Sequence, residues 1–143
     1  MNAHEYLSQI KDFDITITNL QDEIDALYKQ ASGLSSPAFG ERVQTSTSGD
    51  SPQEKILLKL EKHILTYTNL KNRYLRLRKK IVDQIDNLDD WRYKRILYLT
   101  YIKGWHTAEI ADEMNYVPET VRRMRAEARE MFQKKYLVTE CYT

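Results

Sequence analysis

The chain has 143 residues, 41% hydrophobic and 30% charged, a length for one domain or two small ones and a mix that suits helices with narrow apolar stripes. Its lone cysteine, Cys141, excludes an intrachain disulfide, and no apolar run approaches the roughly 18 residues of a membrane span. The net charge of +1 is unevenly spread: residues 1–52 hold 3 Lys and Arg against 8 Asp and Glu, residues 53–90 hold 9 against 6, and residues 91–135 hold 10 against 6, so a polyanion partner is expected at the carboxyl-terminal end.

In residues 1–31, Tyr6, Ile10, Phe13, Ile17, Leu20, Ile24, Leu27 and Ala31 are spaced 4, 3, 4, 3, 4, 3, 4. That is the apolar seam of a heptad helix, and it outweighs the strand-like run Ile15-Thr16-Ile17-Thr18. Residues 32–52 break the period with Ser, Thr, Gly, Pro37 and Pro52, and read as a flexible loop. Ser51-Pro52-Gln53-Glu54 then looks like a helix start, with Ser51 as cap. Over residues 53–88 a second seam runs through Ile56, Leu60, His63, Tyr67, Leu70, Tyr74, Leu77, Ile81, Gln84 and Leu88. Two helices of about 43 and 54 Å, at 1.5 Å per residue, each expose a stripe that only a partner can bury. The acidic first helix and the basic second one, with its run from Arg76 to Lys80, are therefore expected to pair as a long antiparallel, coiled-coil-like hairpin.

Residues 89–137 read as a three-helix domain and residues 138–143 as a tail, giving an all-α fold. Asp89 or Asp90 can cap a short helix from Trp91 to Lys103 that ends at Gly104, and Trp91 and Trp105 are expected in its core. The next helix is expected to start at a Thr107 cap and to turn Ala108, Ile110, Ala111 and Met114 inward, with Ala111 small enough for a close crossing. Asn115-Tyr116 supplies the turn, since Asn tolerates the left-handed conformation. Pro118 suits the first position of a last helix reaching about Lys135, with Val121, Met124, Ala128, Met131 and Phe132 inward and Glu119, Arg122, Arg123, Ala126 and Glu130 outward at 100° per residue. A helix-turn-helix puts the amino-terminal part of such a face in a major groove, where Arg reads guanine, Glu accepts from cytosine, and Arg neutralises phosphate.

The stretches Tyr98–Trp105, Ala108–Ala111 and Thr120–Ala128 resemble region four of bacterial sigma factors, which reads the promoter −35 element. Nearly the whole chain, including Met1–Leu7 and Val82–Asp86, is similar to a family of small phage and prophage proteins of Gram-positive bacteria related to the ArpU and RinA late-gene regulators. By position, the resemblance implies base reading by Glu119 and Arg123 and a backbone contact by Arg122, whereas Pro118 stands where the family has an Arg. Ala126 joins the candidate base-reading set, and Thr107, Thr120, Arg122, Arg125 and Arg129 form the candidate set for the DNA backbone.

Three scattered His residues, one Cys and no glycine-rich phosphate loop give no catalytic or metal site, so neither enzyme activity nor a cofactor is expected. The expected function is that of a cytoplasmic, nucleoid-associated regulator that binds double-stranded promoter DNA, its hairpin contacting RNA polymerase or a second copy of the chain. The alternatives are a DNA-recognition subunit for phage packaging and a protein-interaction module built on the same motif.

Overall fold

The structure, a computed structural model, describes residues 1–34 and 51–138. Its helices are α1 (Ala3–Leu34), α2 (Pro52–Asp86), α3 (Trp91–Leu97), α4 (Thr107–Met114) and α5 (Pro118–Phe132), with no strand among the described residues. α3 continues into a π-helical turn over Tyr98–Ile102 and α5 into another over Gln133–Leu137. None of these helices is long and apolar enough to cross a membrane. The backbone divides into two compact units, Met1–Asp14 with Tyr74–Thr143, and Ile15–Arg73.

Helix starts follow the capping chemistry. Asn2 Oδ1 accepts the Glu5 N–H at 2.8 Å, and Ser51 Oγ accepts the Glu54 N–H at 3.1 Å with Pro52 at the first helical position, where its missing N–H costs no bond. α1 runs on through Ser32, Gly33 and Leu34, three residues beyond the expected end. A single Gly lowers helix propensity without stopping a helix. Most of the expected loop, including Pro37, lies outside the described residues, as does Cys141.

In the unit Ile15–Arg73, Ile17, Ile24 and Leu60 are buried, and Leu20, Leu27, Ala31, Ile56, His63, Tyr67 and Leu70 are half-buried. The 4, 3 spacing thus carries the burial, and Ile15–Thr18 is helical. His63 Nδ1 lies 3.0 Å from the Lys59 carbonyl oxygen one turn back.

In the other unit, α1 and α2 run antiparallel. Tyr6 Oη donates to Gln84 Oε1 at 2.8 Å, and the rings of Phe13 and Tyr74 lie 6.3 Å apart, so the partner numbers fall as those of α1 rise. Gln84 interrupts the apolar seam for this purpose: it satisfies the Tyr6 hydroxyl. Ala3, Leu7 and Ile10 of α1 and Ile81, Ile85 and Leu88 at the end of α2 share one core with Leu97, Tyr101, Ala128 and Phe132. The base of the hairpin is thereby built into the same body as the carboxyl-terminal helices.

Three inward expectations fail. Trp91 is 66% exposed, because as the first residue of α3 it precedes Ile96 and Leu97, which take the buried positions. Met131 is 47% exposed; Phe132 beside it fills the core, and adjacent residues on a helix sit about 100° apart. Ala108 is also exposed, leaving Ile110, Ala111 and the half-buried Met114 as the inward face of α4.

Candidate nucleic-acid interface

The short helices around α5 owe their directions to local capping. Asp90 caps α3, its carboxylate accepting the Arg92 N–H at 2.9 Å and the Arg92 guanidinium at 2.8 Å, and these bonds hold its pKa below the usual carboxylate range. Gly104 leaves that helix with φ +71°, as its lack of Cβ permits. α4 is capped by His106 rather than by Thr107. The Glu109 carboxylate accepts the His106 N–H at 2.8 Å, which moves the start one residue earlier and frees the Thr107 hydroxyl.

Asn115 takes the left-handed conformation at φ 59°, and the Tyr116 N–H returns to the Ala111 carbonyl at 2.9 Å, closing α4 with a Schellman turn. Val117 is extended and Pro118 opens α5. Both α3 and α4 pack on α5, around a core of Ile96, Leu99, Ile110, Ala111, Val121 and Met124 flanked by Tyr93, Trp105, Met114 and Tyr116. Ala111 is 2% exposed, its methyl group buried in that core. This arrangement is a helix-turn-helix with a supporting third helix.

The candidate residues separate into two groups. Glu119, Arg122, Arg123 and Ala126 are exposed along α5, on the side opposite the buried Val121, Met124, Ala128 and Phe132. Arg123 lies 3.6 Å from Glu127, whose other oxygen accepts the Tyr93 hydroxyl at 2.8 Å, so α3 steers an exposed arginine through one carboxylate. The carboxylate also raises the Tyr93 pKa, with desolvation adding to the effect.

Thr107, Thr120, Arg125 and Arg129 are half-buried. Arg125 donates from Nε to Thr100 Oγ1 at 3.2 Å and from Nη2 to Thr107 Oγ1 at 3.0 Å, tying α5 to the π-helical turn after α3 and to the start of α4. Burial pushes its pKa below the ordinary arginine value, and the charges of Arg129 and Arg122 lower it further, but a guanidinium stays protonated at neutral pH. Arg129 donates to the Tyr101 hydroxyl at 3.3 Å, and His4 Nδ1 lies 2.8 Å from that same oxygen. Tyr93 and Thr100 are the residues that sequence reasoning missed here. Their spacing to Glu127 and Arg125 is non-local, and nothing in the helical period marks it.

On α4, Glu109 is engaged in its cap and Glu113 pairs with Arg95 at 3.3 Å. Among the described residues no group of three His, Cys, Asp or Glu is placed to hold a metal ion. No family model, no curated protein and no solved structure matches the chain.

Proposed function

We propose that the chain is a sequence-specific DNA-binding regulator of transcription, of phage or prophage type, that lays α5 in a major groove of promoter DNA. The observation that supports it best is the sorting of α5: Glu119, Arg122, Arg123 and Ala126 are exposed at the surface while the opposite stripe is buried. Arginine offers bidentate donors to guanine and charge to phosphate, glutamate offers an acceptor to cytosine, and alanine allows close approach to a thymine methyl. Arg125 and Arg129 contribute by holding α5 at its angle, with their remaining donors available to phosphate. In this reading the hairpin recruits RNA polymerase or a second copy of the chain while α5 is on its operator.

Selection of bound duplexes from a random pool, followed by anisotropy titration of the enriched sequence, tests the proposal. Arg122→Ala/Arg123→Ala is expected to weaken binding and to make the salt dependence shallower, by about one unit of slope for each phosphate that is no longer neutralised. Failure to enrich any sequence at low salt, or full affinity in the double variant, would overturn it.

A further inference from the structure

Trp91 stands with two-thirds of its surface in solvent beside a groove of about 510 Å³ between the end of α2 and the length of α3 with its π-helical continuation. Val82 and Tyr98, both half-buried, give the groove an apolar wall, so a side chain entering it meets aromatic and aliphatic surface on more than one side. A tryptophan can bury about 200 Å² against a partner, and exposed Trp residues flanking pockets are enriched among the residues that dominate protein interfaces. The rim is cationic. Lys94 and Lys103 line it and form no ion pair among the described residues, whereas Arg95 is engaged by Glu113; Asp86 is the carboxylate among the lining residues, and Asp89 and Asp90 lie on the other side of Trp91. A duplex is convex and presents phosphate; it cannot fill an apolar concavity. A peptide carrying one large apolar residue among carboxylates can.

We propose that this groove docks an acidic segment of a partner protein, one aromatic or aliphatic side chain seated against Trp91, Val82 and Tyr98, and its carboxylates paired with Lys94 and Lys103. The site is independent of the DNA-binding reading, because no residue of α5 lines the groove. A protein using both surfaces holds nucleic acid and a protein ligand at once.

The test is selection of a displayed library of random peptides on the full chain, followed by titration of the enriched peptide. The enriched sequences are expected to combine Asp or Glu with Leu, Phe or Trp. Trp91→Ala and Lys94→Glu/Lys103→Glu should each weaken the peptide by at least about tenfold, whereas Arg122→Ala/Arg123→Ala should leave it unchanged. In a Trp105→Phe background, which leaves Trp91 as the only tryptophan, its emission should shift to the blue as the peptide saturates. Absence of enrichment, enrichment of basic or purely apolar peptides, insensitivity to the variants, or unmoved emission would each overturn the proposal. So would displacement of the peptide by duplex DNA together with loss of DNA binding in the double lysine variant, which would assign the groove to nucleic acid instead.

Discussion

Arg125 Nη2 and Thr107 Oγ1 lie 3.0 Å apart, joining the helix that faces outward to the first residue of the helix that supports it. With Thr100 accepting from Nε of the same guanidinium, the side chain acts as a bracket across the motif. Arg125→Ala is therefore expected to cost about 1–3 kcal/mol of folding stability, the range for losing hydrogen bonds to a charged group. Arg122→Ala, at a solvated position, should stay within about 0.5 kcal/mol of the parent. Chemical denaturation of both variants checks this; equal stability of the two would show that the bracket contributes nothing. Thr107→Val should reproduce part of the Arg125→Ala loss and little more when combined with it.

Two left-handed backbone positions should each favour glycine over alanine. Gly104 has φ +71° and open space where a Cβ would sit, so Gly104→Ala carries only the left-handed penalty, about 1–2 kcal/mol. Asn115 holds φ 59°, and Asn115→Gly is expected to be neutral or slightly stabilising while Asn115→Ala costs about 1 kcal/mol. Thermal melts of the three variants give the order; a harmless Gly104→Ala would contradict it.

Ala111 and Ala108 sit on the same short helix with opposite surroundings. Ala111 is 2% exposed against α5, so Ala111→Leu should overpack the contact and cost about 1–3 kcal/mol, and on the proposed function duplex affinity should fall as α5 is displaced. Ala108→Leu points to solvent and should leave the melting temperature near the parent's. A tolerant Ala111→Leu would mean that the close crossing is not required.

Stability should fall at both ends of the pH scale, through different residues. Burial raises the pKa of Tyr6 and Tyr74, and Glu127 raises that of Tyr93. A phenol whose folded-state pKa exceeds its unfolded value contributes stability that is complete below about 10 and is lost as pH rises through the raised value. Asp90 has the reverse sign: its lowered pKa gives stability that is present above about 3.9 and lost as pH falls through the folded value. Tyr6→Phe should flatten the alkaline limb, and Asp90→Asn, which keeps a capping oxygen, should flatten part of the acid limb. Melting temperature against pH reads both, and unchanged limbs would refute the assignment.

Much of this was legible in the sequence because it is local or periodic. The seams of α1 and α2, the caps at Ser51 and Asp90, Pro118 at a first turn and Asn115 in a left-handed turn each depend on residues within a few positions of one another. The inward stripe Val121, Met124, Ala128 and Phe132 follows from the helical period alone. What escaped was non-local or came at an element's edge. Period cannot tell whether Trp91, at the first turn of a seven-residue helix, turns inward or outward. The Arg125 bracket and the Tyr93–Glu127 bond span 18 to 34 positions, and arginine's chemistry suits a hydroxyl partner as well as a phosphate. The packing of Leu7 and Ile10 with Ala128 and Phe132 leaves no local trace at all.

That shared core has a consequence for the order in which the protein can be made. The Ala3 N–H donates to Gln133 Oε1 at 3.0 Å across 130 positions, and Leu7 and Phe132 belong to one cluster. On a ribosome, α1 emerges early and must wait, its apolar stripe only partly covered at that end by Ile81, Ile85 and Leu88, until the last turn of α5 has left the exit tunnel. Closing so long a loop delays the stabilisation it brings, which slows folding relative to a helix-turn-helix built only from neighbouring segments. The amino-terminal end of α1 is thus among the last parts of this unit to be covered, whereas α5 already has Ile96, Leu99, Ile110 and Ala111 of its neighbours to pack against.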